Sequence, residues 1–187
     1  MPYPPPIQLR PDVELTSLNS GHAAAMFEWM CDPYISRNIG LTREPSLEKT
    51  GQWIATTRED PQVRAFAILL AGCHVGNVVL DHIEQRFGTV RLSIYIGEPS
   101  ARSGGVGTTA MYLALKRAFD QLDLHKVWLT VHSHNFQAIS VYSRLGFVLE
   151  GIHRDEFLMD GRRFPALYMG LLKTEFHTLT LAEEVLP

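Results

Sequence analysis

Three glycines stand within four positions of ARSGGVGTTAMYLALKRAF, residues 101–119, immediately before a helical pattern. The first N–H groups of a helix have no partner inside it, and the helix dipole favours anions at that end. Glycine has no Cβ atom, so a phosphate can approach the backbone closely. Gly104, Gly105 and Gly107 therefore indicate a phosphate-binding loop, and a flexible turn is the alternative.

Two nucleotide-binding motifs can be compared with this loop. From Gly105, G-V-G-T-T-A matches the dinucleotide fingerprint, which needs a strand directly before the first glycine and an acidic residue about 20 residues later. Here the preceding strand ends near Gly97, and the next strand ends in TVHSH, which contains no carboxylate. A P-loop would need Gly-Lys-Ser/Thr after the glycines, and that sequence does not follow them. Neither motif explains the loop.

The hydrophobic pattern predicts an α/β (α+β) fold with a mixed, mostly antiparallel sheet. Apolar alternation and short glycine-bearing connections predict strands at 13–18, 63–70, 74–84, 89–97, 125–132, 147–159 and 163–173. Helical periodicity predicts helices at 19–31, 44–59, about 105–121 and 135–146. An antiparallel meander that leads into one β-α-β unit requires helices on both faces of the sheet.

Two local features of the helical regions follow from the same pattern. Residues 32–40, DPYISRNIG, are predicted to form a loop because Pro33 interrupts them and Gly40 ends them. In the helix at 44–59, Leu47, Trp53 and Ile54 are predicted to form the inner face.

From Arg102, RSGGVG is an instance of Arg/Gln-x-x-Gly-x-Gly/Ala and resembles the pyrophosphate loop of the GNAT acetyltransferases. Two further stretches resemble this family in the same order. One is Asn-x-x-Ala-x-x-x-Tyr-x-x-x-Gly-Phe, from Asn135 to Phe147. The other, LEGIHRDEFLMDGRRFPALYMGLL, resembles the closing hairpin of the branch that acetylates ribosomal protein N-termini, polyamines and amino sugars. The resemblance extends from about Val13 to Lys173.

The resemblance implies a GNAT fold with acetyl-CoA as the cosubstrate. The pyrophosphate would bind at the glycine loop, ahead of a helix N-terminus. The pantetheine arm would lie along a strand edge, which a splay between two central parallel strands exposes at Ser93–Ile96. The residues expected to bind the cofactor are Ile94, Tyr95, Ile96, Arg102, Ser103, Gly104, Gly105, Val106, Gly107, Thr108, Asn135 and Ala138.

Three side chains have a functional interpretation and a structural alternative. Tyr142 lies on the same helix face as Asn135, and by resemblance its hydroxyl protonates the departing thiolate; a packed aromatic ring is the alternative. Asn135 is expected to be a helix N-cap, which is compatible with an amide contact to the cofactor. Trp29 is assigned to the acceptor pocket by resemblance only, and a position at the core is the alternative.

These assignments predict direct transfer in a ternary complex. A neutral amine attacks the thioester carbonyl, and a backbone N–H near Ile94–Ile96 stabilises the oxyanion. No cysteine lies in the motifs, so a covalent acyl-enzyme is not expected. The general base is left open, since solvation of an edge strand explains Asp81, His82 and Glu84 better than a catalytic role does. A non-catalytic acyl-CoA-binding module on the same fold is the rival hypothesis.

The resemblance implies that the acceptor amine enters on the side opposite the cofactor, between residues 29–40 and 153–163. The charged residues considered there are Asp32, Arg37, Arg154, Asp155, Glu156, Asp160, Arg162 and Arg163. A polyamine needs several carboxylates to offset the desolvation of its charges, and this balance is mixed. An amino sugar or a peptide N-terminus is therefore predicted to be a better acceptor than spermidine or spermine.

Length and composition indicate one domain over residues 1–187, with a core at about 13–174 and a short tail at 175–187. Seventeen basic and twenty acidic side chains give no reason to expect a nucleic acid or a membrane as partner. Two cysteines without CxxC spacing favour a cytoplasmic protein. His132 and His134 have no third ligand, so no metal is expected. A homodimer is left open.

Overall fold

The computed structural model describes residues 6–41, 43–159 and 161–179. The strands are β1 (Val13–Ser17), β2 (Arg64–Leu70), β3 (Cys73–Glu84), β4 (Thr89–Ile96), β5 (Lys126–His132), β6 (Val148–Met159) and β7 (Arg162–Leu172). The helices are α1 (Ala23–Cys31), α2 (Pro33–Asn38), α3 (Leu47–Glu59), α4 (Val106–Lys116), α5 (Phe136–Arg144) and α6 (Lys173–Phe176). A π-helical turn, Arg117–Gln121, continues α4.

The seven strands form one sheet in the order β1-β2-β3-β4-β5-β7-β6. Every neighbouring pair is antiparallel except β4 and β5, which are parallel. A short connection can join only antiparallel neighbouring strands. The long crossover through α4 allows β4 and β5 to be parallel. The predicted mixed sheet with a central parallel pair is confirmed.

Helices cover both faces of this sheet, as predicted. Side chains alternate along β2, so Phe66 and Ile68 join the main core while Ala67 joins a second cluster. In the main core, α4 contributes residues such as Met111 and Leu115. The second cluster contains Met26 from α1 and side chains of neighbouring elements. The sheet therefore lies between two helical layers. One contains α4, which follows the glycine loop, and the other contains α1 and α3.

The prediction of a loop at residues 32–40 is wrong, because α2 begins at Pro33. Proline is favourable in the first turn of a helix, where its missing N–H would have no partner and its φ angle is already helical. The Asp32 carboxylate completes the start of α2 by accepting a hydrogen bond from Tyr34 N at 2.9 Å. Pro33 thus begins a helix here instead of interrupting one.

The inner face predicted for α3 is correct only at Ile54. The buried residues of this helix are Thr50, Ile54 and Thr57. Leu47 and Trp53 are 49% and 40% exposed. Residues 50, 54 and 57 follow the spacing of one helix face, on which two threonines replace the larger apolar side chains.

The chain closes with the predicted hairpin of β6 and β7. Gly146 has a φ of +87° directly after α5, as expected for a glycine at C′. The turn before β7 contains Gly161, with a φ of +75°, whereas Asp160 lies outside the described residues. Of the predicted tail, residues 180–187 also lie outside them. No helix in the described ranges is both long and apolar enough to cross a membrane.

Candidate active site

The two central strands diverge after a short paired segment. Thr89, Val90 and Arg91 of β4 pair with Lys126, Val127 and Trp128 of β5. Beyond that point β4 continues to Ile96 and β5 to His132 without further pairing between them. Backbone groups on this edge of β4 are therefore left for another partner, and the predicted splay at Ser93–Ile96 lies within this segment.

A cavity of about 580 Å³ lies at the divergence. Its lining residues come from both layers and from the separated strands. They are Met26, Met30, Asn38, Ile39, Leu41, Arg43, Glu44, Pro45, Ser46, Lys49, Thr50, Trp53, Asn77, Val79, Arg91, Leu92, Ser93, Ile94, Tyr95, Thr130, Val131, His132, Asn135, Tyr142 and Phe157. The predicted site residues Ile94, Tyr95, Asn135 and Tyr142 thus meet in one cavity.

The glycine loop forms the N-terminus of α4. Gly104 and Gly105 have φ angles of +70° and +85°, which non-glycine residues rarely adopt, and Gly105 is the N-cap. The first i→i−4 bond of the helix runs from Thr109 N to Gly105 O, at 2.9 Å. The N–H groups of Val106, Gly107 and Thr108 precede this bond and have no helical acceptor. An eleven-residue helix thus presents donors and its positive dipole end to an anion.

Arg102 holds the loop against the end of β4. Its Nε donates to Ile96 O at 3.2 Å, and its Nη2 donates to Gly97 O at 2.8 Å. The same nitrogen reaches the Asp32 carboxylate at 3.2 Å, and the guanidinium lies 4.6 Å from the centre of the Tyr34 ring. These contacts give Arg102 a structural role in shaping the loop. A contact with pyrophosphate stays a prediction.

Arg10 is a second cation beside the loop, and sequence reasoning missed it. Its Nη1 lies 3.4 Å from Gly104 O, and its backbone N donates to Thr109 Oγ1 at 3.0 Å. Its Nε and Nη2 also bind the Asp12 carboxylate, at 2.9 Å and 2.7 Å. The LRPDV stretch contains no motif that would connect Arg10 with residues 94 positions away, so no sequence signal was available.

Tyr142 projects from α5 into the cavity. Burial raises the pKa of its phenol to about 12. Among the described residues, its hydroxyl has no hydrogen-bonding partner. The hydroxyl is therefore protonated at neutral pH and available to donate, which suits a general acid.

Asn135 is the N-cap of α5, as predicted. Its Oδ1 accepts a hydrogen bond from Ala138 N at 3.1 Å. Its Nδ2 lies 3.5 Å from Asn38 Oδ1, so it links α5 with α2 across the cavity. The Ala138 N–H is used by the cap, and the cofactor contacts assigned to Asn135 and Ala138 stay predictions.

The side chain of Tyr95 is fixed on the face of the sheet that α1 covers. Its hydroxyl donates to Asn77 Oδ1 at 2.8 Å, and Asn77 Nδ2 contacts Phe66 O at 3.4 Å. Burial raises the pKa of Tyr95 well above its usual value. With its side chain held in this way, Tyr95 has its backbone, rather than its phenol, available for a cofactor.

Trp29 does not line the cavity. Its indole packs directly on the backbone of Gly97, where an added Cβ would lie 2.0 Å from Trp29 Cδ2. Its ring also contacts those of His74 and Tyr95, with centroids 4.7 Å and 6.2 Å apart. Trp53, predicted as a core residue, lines the cavity instead. The assignment of Trp29 to the acceptor pocket is untested and has no support from this placement.

The charges around the cavity also differ from those predicted. Of the described residues in 153–163, only Phe157 lines it, and from residues 29–40 the lining residues are Met30, Asn38 and Ile39. The charged lining residues are Arg43, Glu44, Lys49 and Arg91. The charged part of the cavity wall is therefore built largely from the segment before α3 and from its first turns.

Arg91 is paired with Asp81, one of the candidate bases. Its Nε and Nη2 both donate to the Asp81 carboxylate at 2.7 Å. Burial alone would raise the pKa of Asp81, but the hydrogen bonds from Arg91 and His82 lower it overall. A carboxylate stabilised in this way is a weak base.

Within the described ranges, no group of three or more potential metal ligands is found.

Comparisons with known proteins agree with the fold and the loop. Residues 12–148 match the sequence model of the Acetyltransferase (GNAT) domain. Spermidine N(1)-acetyltransferase from Escherichia coli (strain K12) is 27% identical over 191 residues, covering 100% of this chain and 95% of that protein. Spermidine N-acetyltransferase from Vibrio cholerae, in a crystal structure with CoA and spermine, superposes with a TM-score of 0.85. That match has 24% identity and covers 90% of this chain and 100% of the other.

A second Vibrio cholerae spermidine N-acetyltransferase structure is described as dodecameric, and it matches with a TM-score of 0.79 and 24% identity. It covers 90% of this chain and 98% of that chain. The matched residues, 12–148, include both the glycine loop and the motif from Asn135 to Phe147. This chain belongs to the GNAT family of acetyl-CoA-dependent acetyltransferases.

Proposed function

We propose that this acetyltransferase transfers the acetyl group directly from acetyl-CoA to a primary amine in a ternary complex. The supporting observation is that one cavity is lined by Ile94 and Tyr95, on the unpaired edge of β4, and by Tyr142. The amine nitrogen forms a bond to the carbonyl carbon of the thioester, and the C–S bond breaks. A backbone N–H of β4 stabilises the oxyanion, and Tyr142 gives its proton to the thiolate.

The cofactor would lie along elements that offer unpaired backbone groups. The N-terminus of α4 would bind the pyrophosphate through the N–H groups of Val106, Gly107 and Thr108. The two amides of the pantetheine arm would bond to the free edge of β4 as an added strand does. Neither Cys31 nor Cys73 lines the cavity, so attack by the amine itself is favoured over a covalent intermediate.

For the acceptor, we propose an amine that carries a nearby anionic group. Arg43 and Lys49 line the cavity and form no ion pair with a described residue, whereas Glu44 is the only unpaired carboxylate of the described lining. Two cations against one carboxylate would repel a polyamine and attract a phosphate or carboxylate. The spermidine acetyltransferases among the relatives favour a polyamine instead, which is the second candidate.

A thiol-release assay with acetyl-CoA tests both the proposed acetyl transfer and the proposed choice of acceptor. The panel contains spermidine, glucosamine, glucosamine 6-phosphate and a short peptide. We expect kcat/KM to be highest for an acceptor with an anionic group, and Arg43→Gln with Lys49→Gln to reduce that preference. Arg58→Gln is the matched control, because Arg58 lies on α3 but does not line the cavity.

Two outcomes would contradict different parts of the proposal. A clear preference for spermidine would exclude the anionic acceptor and keep acetyl transfer. CoA binding in calorimetry without thiol release for any amine would exclude catalysis and support the non-catalytic module.

Self-association through β6 is also part of the proposal. This edge strand exposes Val148, Leu149, Ile152 and Leu158. Exposed apolar edge strands tend to pair with another chain, and one related structure is described as dodecameric. Light scattering during size exclusion should give more than one chain per particle, and Ile152→Asp should reduce that number. A monomeric wild type would contradict it.

A further inference from the structure

His132, the last residue of β5, has no function in the transfer described so far. Its side chain is 4% exposed and lines the cavity. Both ring nitrogens are buried, and neither has a hydrogen-bonding partner among the described residues. An imidazole in this situation lacks the bonds that water would have provided.

An unpartnered polar group in a protein interior is unfavourable. Leaving a buried donor or acceptor unsatisfied costs about 1–3 kcal/mol, and most such groups in folded proteins are paired. A phenylalanine or leucine at this position would fill the space without that cost. A ligand that enters the cavity and bonds to the ring would account for the histidine.

The surroundings of His132 keep its ring neutral. Burial, followed by the nearby His134, lowers the pKa of His132 from its usual value. The centroid of the His134 ring is 5.4 Å away, and the Phe157 ring stacks on His132 at 3.8 Å. A neutral imidazole carries one nitrogen that accepts a proton.

The position of His132 suits the amine rather than the cofactor. Side chains alternate along β5, so His132 shares a face with Thr130, which also lines the cavity. On the same strand, Leu129 belongs to the core on the other face, where α4 packs. His132 therefore lies on the face of the sheet that α1 and α3 cover. The acceptor is expected to enter from that side.

We propose that His132 is the general base of the reaction. This inference rests on the proposed acetyl transfer. The acceptor arrives as an ammonium ion, and a ring nitrogen of His132 takes one of its protons, directly or through one water. The freed lone pair then forms the C–N bond with the thioester carbon. Phe157 stacks on one face of the ring and also lines the cavity, whereas the lone pair of the accepting nitrogen lies in the ring plane.

Three other titratable groups near the cavity are less suitable. Asp81 is held by Arg91, and the Tyr95 hydroxyl donates to Asn77. Tyr142 is needed in its protonated form for the leaving group. His132 combines a free acceptor nitrogen with a place in the cavity wall.

The test compares His132→Gln with His134→Gln, because His134 is the neighbouring imidazole and does not line the cavity. Thiol release is measured with butylamine, which is an ammonium ion at pH 7, and with methoxyamine, which is already neutral. His132→Gln should lower kcat with butylamine by about 10²-fold, typical of losing a positioned base. The loss with methoxyamine should be small, and the butylamine rate should recover as pH rises towards the pKa of that amine.

The melting temperature and the Kd for CoA identify variants that fail to fold. If His132→Gln fails to fold, His132→Asn takes its place in the comparison with His134→Gln. Equal losses with both nucleophiles, or no loss with either, would overturn the assignment of His132. His134→Gln should lower neither rate. Absence of thiol release by the wild type with every amine would instead overturn the proposed function.

Discussion

Replacing Gly107 with alanine should separate the stability of α4 from its ability to bind CoA. Gly107 lies in the first turn of the helix, and an added Cβ would lie 3.9 Å from Ile96 Cγ1, an ordinary van der Waals contact. Alanine is favoured over glycine inside a helix by roughly 0.5–1 kcal/mol. For a chain of this length, that gain corresponds to a melting temperature about 1–4 °C higher.

The same methyl group should weaken CoA binding. Cα–Cβ bonds tilt towards the N-terminus of a helix, which is the end where the pyrophosphate is proposed to bind. Crowding of a well-packed contact costs about 1–3 kcal/mol, which corresponds to a Kd about 5-fold to 150-fold higher. Calorimetric titration with CoA measures this change, and a thermal melt without ligand measures the stability.

Gly51→Ala is the matched control. Gly51 is a helical glycine of α3, and nothing lies within 4 Å of an added Cβ. It should raise the melting temperature by a similar amount and leave the Kd for CoA unchanged. If Gly107→Ala binds CoA as tightly as Gly51→Ala does, the first turn of α4 does not contact the pyrophosphate and the reasoning is refuted.

Three further predictions concern Tyr142 and Arg102. Tyr142→Phe should lower kcat by roughly 10²-fold with an unchanged Kd for CoA; full activity in the thiol-release assay would make Tyr142 a packing residue. Because burial raises the pKa of Tyr142 to about 12, the unfolded chain loses the phenolic proton first, near pH 10. The free energy of unfolding should therefore fall between about pH 10 and pH 12, and urea titrations should show a shallower fall in Tyr142→Phe. Arg102→Ala should lower the free energy of unfolding by about 1–3 kcal/mol, since it removes charge-assisted bonds to the carbonyls of Ile96 and Gly97. An unchanged urea midpoint for that variant would show that the loop keeps its shape without them.

The order of strands and helices was predictable because local chemistry specifies it. Alternating apolar residues in β2–β4 and short turns between them leave few options other than an antiparallel meander. Gly104 and Gly105 were recognisable because their positive φ angles favour glycine. Gly146 after α5 was predictable for the same reason.

The roles of individual side chains at the site were less predictable, because they depend on contacts between distant residues. Arg102 stands in a phosphate-binding motif, yet its guanidinium binds two backbone carbonyls and Asp32. Trp53 has the hydrophobicity of a core residue, and only the position of α3 over the divergence makes it a wall of the cavity. His132 was considered only as a metal ligand, because nothing in the sequence reveals that both of its nitrogens lack partners.

The short pairing of β4 with β5 divides the sheet into two halves that are each continuous in sequence. Residues 13–96 contain β1–β4, and residues 126–172 contain β5–β7. A cut between residues 97 and 105 would therefore give two fragments with intact hairpins. Three residue pairs between β4 and β5 would rejoin them, together with α4, which packs against β1, β3 and β4. CoA bound in the divergence would touch both fragments. We expect their reassembly to be stronger with CoA, which would make the divided chain a ligand-dependent complementation reporter.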